Sequence, residues 1–350
     1  MCALLKITKI TINNRSLRTI VSKTLEVTKI KKSPTKSMDR RWVSFPKGCY
    51  ITLHRQYRLL SYNILAQELI TDNMFLYYDV NQKYLRWKNR IELLGQEIRR
   101  IRPDILCLQE VQHVHLKEII KEIASKEEGQ KKLEYVFKKR TGSRCDGCVI
   151  IYDKEKFKLI KELCVEYHTE NSISNRENIG LLAKFTPRDD PSKKFIVATT
   201  HLLYNPLRND VRICQINKLL GAIIDFAKHS SKNDIFCPVI LTGDFNCTTD
   251  SAPFRILTDE RRFISRGGNE DKSFKMEPIC FGVNTASTYQ NQWITVDYIL
   301  KSCSTDCENS IQVNSTYNLP NLDTCQSQGK LPNKYIGSDH FSLAIEFSIV

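Results

Sequence analysis

Five short polar clusters, each at the end of a β-rich apolar run, carry most of the side chains in this sequence that could do chemistry. They are SYNIL (Ser61–Leu65), LQEV (Leu108–Val111), THLLYNP (Thr200–Pro206), GDFN (Gly243–Asn246) and SDH (Ser338–His340). Among their side chains are the amides Asn63 and Asn246, the imidazoles His201 and His340, and the carboxylates Glu110, Asp244 and Asp339. These groups suit the hydrolysis of a phosphate ester with a divalent cation. Carboxylates hold a hard cation such as Mg²⁺ through oxygen, an ionised Asp takes a proton from water, and a protonated His neutralises phosphoryl oxygens.

Each residue also has a plainer reading. Glu110 precedes a predicted helix, where the helix dipole favours a carboxylate. Asp244 and Asn246 fit a plain turn, since Gly-Asp and Asn are common turn formers, although in an extended segment both would face the same side. Asp339 and His340 are adjacent, so on a strand they would point opposite ways, one toward a metal and the other toward phosphate. Asp297, in TVDYIL (Thr295–Leu300), is the natural partner to orient His340, and such pairs also serve as structural bonds. His201, taken alone, fits a satisfied core histidine.

The elements that must position these groups follow from periodicity. Tyr57–Leu65 reads as a strand and Leu85–Ile101 as a helix, with Ile91, Leu94, Ile98 and Ile101 at helical spacing before Pro103. Asp104–Leu108 is a buried strand delivering Glu110, followed by a helix over His115–Ala124. Strand-like runs follow at Tyr135–Lys139, Cys148–Tyr152, Phe157–Tyr167, Ile179–Phe185 and Phe195–Leu203. Asp210–Lys228 is helical, Cys237–Thr242 is a strand, and Glu260–Ala286 reads as loop-rich and polar. Ile294–Leu300 and Phe341–Ile349 complete the set. Strands alternating with helices, with hairpin-like pairs between, imply an α/β domain of two packed sheets with helices outside.

At 350 residues and 41% hydrophobic composition, the chain can bury a large core. Residues 1–48 hold twelve Lys/Arg against Glu26 and Asp39, which is +10 of the +14 total charge. Pro34–Pro46 reads as a linker, which sets a basic, disordered arm or targeting segment (1–48) apart from a folded domain (49–350). Such an arm suits a polyanionic partner. The thirteen cysteines form no regular framework, and Cys145–Cys148 has CxxC spacing with no second pair to complete a zinc site. Free thiols inside a reducing cell are implied. No apolar run approaches the ~18 residues of a membrane span. The acid-free, basic start partly fits a mitochondrial presequence, beside a cytoplasmic or nuclear placement.

The order of the clusters resembles that of the endonuclease/exonuclease/phosphatase superfamily, from about Tyr57 to the C-terminus. Three longer strings are similar to the Angel proteins, relatives of the carbon-catabolite-repressor deadenylases: RTGSRCDGC (Arg140–Cys148), NRENIGLL (Asn175–Leu182) and THLLYNPLRND (Thr200–Asp210). The resemblance implies a DNase I-like four-layer sandwich of two mixed β-sheets flanked by helices. It implies a Mg²⁺ ion, replaceable by Mn²⁺, held by Glu110 with Asn63 and Asp339. Asp244 would activate water with Asn246 beside it, while His201 and His340, the latter oriented by Asp297, would contact the phosphate. Tyr204, Asn205 and Pro206 would meet the nucleotide. In related deadenylases Pro206 matches one face of an adenine clamp, and an aromatic-Lys-Gly sequence supplies the other. Here that stretch is Gln292-Trp293-Ile294-Thr295, so Trp293, the aromatic that would meet the substrate, is displaced by one position and the Lys-Gly is missing. The implied activity is removal of 2′,3′-cyclic phosphate from RNA 3′ ends. The alternatives are a 3′→5′ exoribonuclease acting on poly(A), a small-molecule phosphatase, and an idle scaffold binding RNA or translation factors. RNA ends are the implied partner, with translation-factor or mRNA-processing proteins beside them.

Overall fold

Strand formation here follows burial. Tyr57–Asn63 (β2), Ile105–Gln112 (β3), Phe195–His201 (β8) and Val239–Asp244 (β9) are buried almost without interruption, as central strands covered on both faces are. The computed structural model describes residues 40–45, 54–124, 131–170, 172–228, 236–264, 271–303 and 309–350. The expected disorder of the arm falls on residues 1–39 and 46–48, outside the described residues.

Around those four strands the described residues add Trp42–Ser44 (β1), Leu133–Lys139 (β4), Asp146–Asp153 (β5), Phe157–Glu166 (β6) and Ile179–Pro187 (β7). Arg261–Ile264 (β10), Asp271–Pro278 (β11), Thr288–Gln290 (β12), Gln292–Ile294 (β13), Asp297–Cys303 (β14), Ile311–Tyr317 (β15) and Leu343–Ile349 (β16) follow. One seven-stranded sheet runs β1-β15-β16-β2-β3-β5-β4 and the other β10-β11-β14-β9-β8-β7-β6, while β12 and β13 pair as a separate hairpin. In each large sheet one central pair is parallel, β2 with β3 and β8 with β9. The remaining pairs are antiparallel, so both sheets are mixed.

The outer face of the first sheet (Leu60, Tyr62, Leu106, Leu108) is covered by the helices Trp87–Ile101 and His113–Ala124 through Ile91, Leu94, Ile98, Leu116 and Ile119. The second sheet is covered by the helix Asn209–Ala227 through Ile216, Leu219, Leu220 and Ile223. Each such side chain contributes about 1.5–3 kcal/mol on burial. Between the sheets, Tyr57, Phe157, Phe185, Phe195 and Phe347 interlock at one end of the strands. Gln109 crosses the interface from the first sheet and donates to Thr199 Oγ1 at 2.8 Å. The four-layer α/β sandwich expected from the sequence is the observed one.

Three expectations change. Glu260–Ala286 is not mainly loop: β10 pairs β11, and β11 pairs β14. Its polar composition hid an alternation in which Phe274 and Met276 point inward, each 1% exposed. The domain edge lies before residue 49, because β1 pairs with β15 and Arg40 is buried between Glu97 and Ser342. Finally, Leu85 ends a short helix, Gln82–Leu85, and the longer helix begins afresh at Trp87.

Candidate active site

The ends of the central strands opposite the aromatic cluster carry the polar residues. The parallel pairs bring Asn63 and Gln109 side by side in one sheet and His201 opposite Asp244 in the other. β14 and β16 run antiparallel to β9 and β2, so they present their beginnings at the same edge, and Asp297 sits opposite Asp244. Four clusters therefore follow strands, as the sequence suggested. Asp297 and Asp339–His340 precede theirs.

Glu110 interrupts its strand. The pairing of β3 with β5 shifts between Leu108 and Val111, and Glu110 takes φ 58°. A bulge with a non-glycine residue in the left-handed region re-aims a side chain at a cost the surrounding structure must offset. The carboxylate receives Asn63 Nδ2 at 2.9 Å and the Ala66 N–H at 2.9 Å. Burial, then Asp339 and Asp146, push its pKa up to about 7.

Asp244 is 2% exposed. It accepts from Asn63 Nδ2 at 3.0 Å and from the Asn246 N–H at 3.0 Å. Burial and then Asp297 raise its pKa to about 6, against the pull of His340 and His201. Asn246 does not continue the strand. It adopts φ 49°, a conformation Asn tolerates, and donates through Nδ2 to Leu202 O at 3.0 Å.

Two imidazoles face Asp244 Oδ2, with His201 Nε2 and His340 Nε2 each 3.7 Å away. His340 donates from Nδ1 to Asp297 Oδ2 at 2.8 Å. Burial opposes its charge, but Asp297 and Asp244 outweigh it and hold the pKa well above the usual value. For His201 burial dominates and lowers the pKa. Asp339 and His340 lie in the turn before β16 rather than on a strand, so the strand alternation does not apply. Both still border the cleft, with Asp339 receiving the Tyr77 hydroxyl at 2.7 Å.

These groups floor a cleft of about 370 Å³ whose rim includes Leu76, Arg140, Arg144, Tyr204, Asn205, Tyr289 and Lys330. Pro206 is exposed and outside that lining. Trp293 does not lie across the cleft from Pro206. Its ring stacks on Phe341, with centroids 5.8 Å apart and planes at 10°, and it borders the neighbouring cavity instead. The hairpin's aromatic at the cleft is Tyr289.

Ligand atoms of Glu110, His201 and Asp244 lie within 4.8 Å of one another, as do those of Asp244, Asp297 and His340. In the second group Asp297 and His340 already satisfy each other. Glu110, Asp244 and Asp339 crowd negative charge into a buried space, which suits a divalent cation. Asn63 does not fit as a ligand. Its Oδ1 accepts the Leu65 N–H at 3.0 Å, which turns Nδ2 toward the two carboxylates, and an amide N–H cannot coordinate a cation.

Two buried arginines escaped the sequence reading because a lone arginine on an amphipathic helix reads as solvent-facing. Arg90, 0% exposed, donates to Ile64 O at 2.9 Å, Gly337 O at 3.1 Å and Gln67 Oε1 at 3.2 Å. It ties together the two turns that carry Asn63 and Asp339. Arg212 donates to the carbonyls of Leu203, Asn205 and Pro206 at 2.9, 2.7 and 2.9 Å and fixes the Tyr204 loop. Asn178, from the NRENIGLL string, donates to His201 O at 3.0 Å.

Residues 60–340 match the Endonuclease/Exonuclease/phosphatase family. Protein angel of Drosophila melanogaster is 38% identical over 328 residues, covering 89% of this chain and 87% of that protein. The chain belongs to this family, among the Angel proteins. Another Angel relative, Protein angel homolog 2 of Danio rerio, is 38% identical over 210 residues, 59% of this chain but 36% of its own length. Among solved structures, ANGEL2, described as a 2′,3′-cyclic phosphatase in complex with adenosine-2′,3′-vanadate, aligns with TM-score 0.73 and 25% identity. That alignment spans 88% of this chain and 98% of ANGEL2. The human Nocturnin catalytic domain shares the fold, with TM-score 0.60 and 21% identity over 89% of this chain and 97% of its own. The family resemblance read from the strings is borne out.

Proposed function

We propose that this Angel-type chain is a Mg²⁺-dependent phosphoesterase that removes 2′,3′-cyclic phosphate from RNA 3′ ends. The observation that carries the reading is the pair of Nε2 atoms, on His201 and His340, each 3.7 Å from one buried carboxylate oxygen of Asp244. A phosphoryl group seated there has donors on two sides and a base beside it. Asp244, more basic than an exposed aspartate, takes the proton from a water molecule as its oxygen bonds to phosphorus. The bond from phosphorus to ribose O2′ or O3′ breaks, and the departing oxygen is protonated. A second round on the monoester releases inorganic phosphate and leaves both hydroxyls.

His340, fixed by Asp297, offers a charged Nε2–H to the phosphoryl oxygens, and the neutral His201 offers a second hydrogen bond. Asn63 aligns Glu110 with Asp244, and Asn246 steadies Asp244 through its backbone N–H. Glu110 and Asp339 are the residues that would hold the cation, which offsets charge on the phosphoryl oxygens. The likeness to ANGEL2, a 2′,3′-cyclic phosphatase, supports this substrate over other phosphate esters.

The rim favours the same end group. Adenine selectivity needs a base gripped on both faces, and aromatic stacking contributes about 1–3 kcal/mol per base. With Trp293 turned onto Phe341 and Pro206 outside the cleft, these two residues do not form such a pair of faces. A cyclic phosphatase needs only one terminal ribose phosphate to be seated. One RNA ending either in a 3′-hydroxyl or in a 2′,3′-cyclic phosphate provides the test. Loss of the terminal phosphate is expected, with little preference for the last base and poor shortening of poly(A). Efficient, adenine-selective laddering of the hydroxyl-ended RNA would overturn it.

A second expectation concerns residues 1–38, which hold nine Lys/Arg against Glu26. Their deletion should weaken RNA binding and flatten its salt dependence, since each neutralised phosphate of a single strand contributes roughly 0.7 to the slope of log K against log salt. An equal slope for both proteins would show that the arm does not touch RNA.

A further inference from the structure

We propose that the cavity beside the cleft seats the second nucleotide from the RNA 3′ end, with Lys330 receiving the phosphate that joins it to the terminal one. This rests on the RNA-end reading above. The cavity measures about 500 Å³, within the roughly 300–1,000 Å³ of small-ligand sites, and shares Tyr289, Asn291 and Lys330 with the cleft. The two spaces are thus divided by a wall one residue thick. A strand whose last phosphate lies between His201 and His340 passes over that wall as it leaves on this side.

The lining has the chemistry of a nucleotide site. It contains two aromatic rings, Tyr289 and Trp293, three amides, Asn291, Gln292 and Gln326, and one ammonium, with no carboxylate among its residues. Trp293 is held by its stack on Phe341 and by an edge contact from Tyr289 at 5.1 Å, so its ring is positioned before a ligand arrives. Amides carry both donors and acceptors, so any base edge finds a partner and little sequence preference results. Lys330 Nζ lies 2.7 Å from Asp79 and over the rings of Tyr78 and Tyr289 at 5.6 and 6.0 Å. An exposed pair of this kind is screened by solvent, so a phosphate can replace Asp79 at little cost. By contrast, the 630 Å³ cavity lined by Glu134, Tyr152 and Phe157 carries acids as well as bases and borders the aromatic end of the sandwich.

The full chain in Mg²⁺ is assayed on adenosine 2′,3′-cyclic phosphate and on the adenylyl-adenosine dinucleotide with the same end group. The dinucleotide is expected to have a kcat/KM about tenfold or more higher. That ratio should fall toward one in Gln326→Glu, which adds a negative charge to the lining, and in Lys330→Ala. A ratio near one in the wild type, or an undiminished ratio in both variants, overturns the subsite while leaving the phosphatase reading intact. If neither cyclic end is hydrolysed, the phosphatase reading falls. The subsite is then decided by the dissociation constants of hydroxyl-ended adenylyl-adenosine and adenosine. Tighter dinucleotide binding that Gln326→Glu abolishes supports it, and equal binding overturns it.

Discussion

Glu110→Ala should lower Mg²⁺-dependent release of the cyclic phosphate by about 10³-fold or more, because a catalytic cation supplies several kcal/mol of stabilisation and each 1.4 kcal/mol is about tenfold. Glu110→Gln should behave alike in activity while sparing the fold, since its amide oxygen still accepts the Ala66 N–H. The lost charge is one the empty site holds at a cost, as the raised pKa of about 7 shows. Thermal unfolding adds a readout free of turnover. Mg²⁺ should raise the Tm of the wild type by mass action and leave that of Glu110→Gln unmoved. Full activity in either variant would remove Glu110 from the cation site.

Asp244→Asn should lower kcat by about 10²–10⁴-fold with a smaller change in KM, as expected for loss of a general base. The amide oxygen can still accept the Asn246 N–H, so the turn after β9 keeps its anchor. The other carboxylate oxygen receives Asn63 Nδ2 and faces both imidazoles, and an amide nitrogen placed there meets donors on every side. A modest drop in Tm should accompany the loss of rate. A variant within tenfold of wild-type kcat would show that the water is activated elsewhere.

The parts of this design that were readable in the sequence are those where burial and chemistry conflict. A carboxylate or imidazole at the end of an apolar run is costly without a partner, and for that reason Glu110, Asp244 and His201 stood out before any fold was known. The core strands were equally plain, since Ile105–Leu108 and Val239–Leu241 have no polar alternative. The polar strand β11 was missed because only two of its residues, Phe274 and Met276, mark the buried face. Arg90 and Arg212 were missed because arginine is a mostly exposed residue type, and helical position alone does not show that it points inward to backbone carbonyls. The place of Trp293 beside the cleft rather than across from Pro206 was not legible because a match counted along the chain cannot show which way a hairpin ring turns, and its contact with Phe341 joins segments 48 residues apart. Asn63 was counted as a ligand because residue type alone does not reveal which end of an amide faces the site.

The short strand β1 also limits where this protein can be cut. Its three residues cap β15, and Arg40 just before it is locked to Glu97 and Ser342. Proteolytic processing that stopped ahead of Arg40 would leave that cover in place. Processing that ran past Ser44 would bare a row of unpaired backbone groups along β15, the kind of open edge that recruits strands from other molecules. Removal of the basic segment is therefore compatible with a monodisperse protein when the cut lies within the first 39 residues.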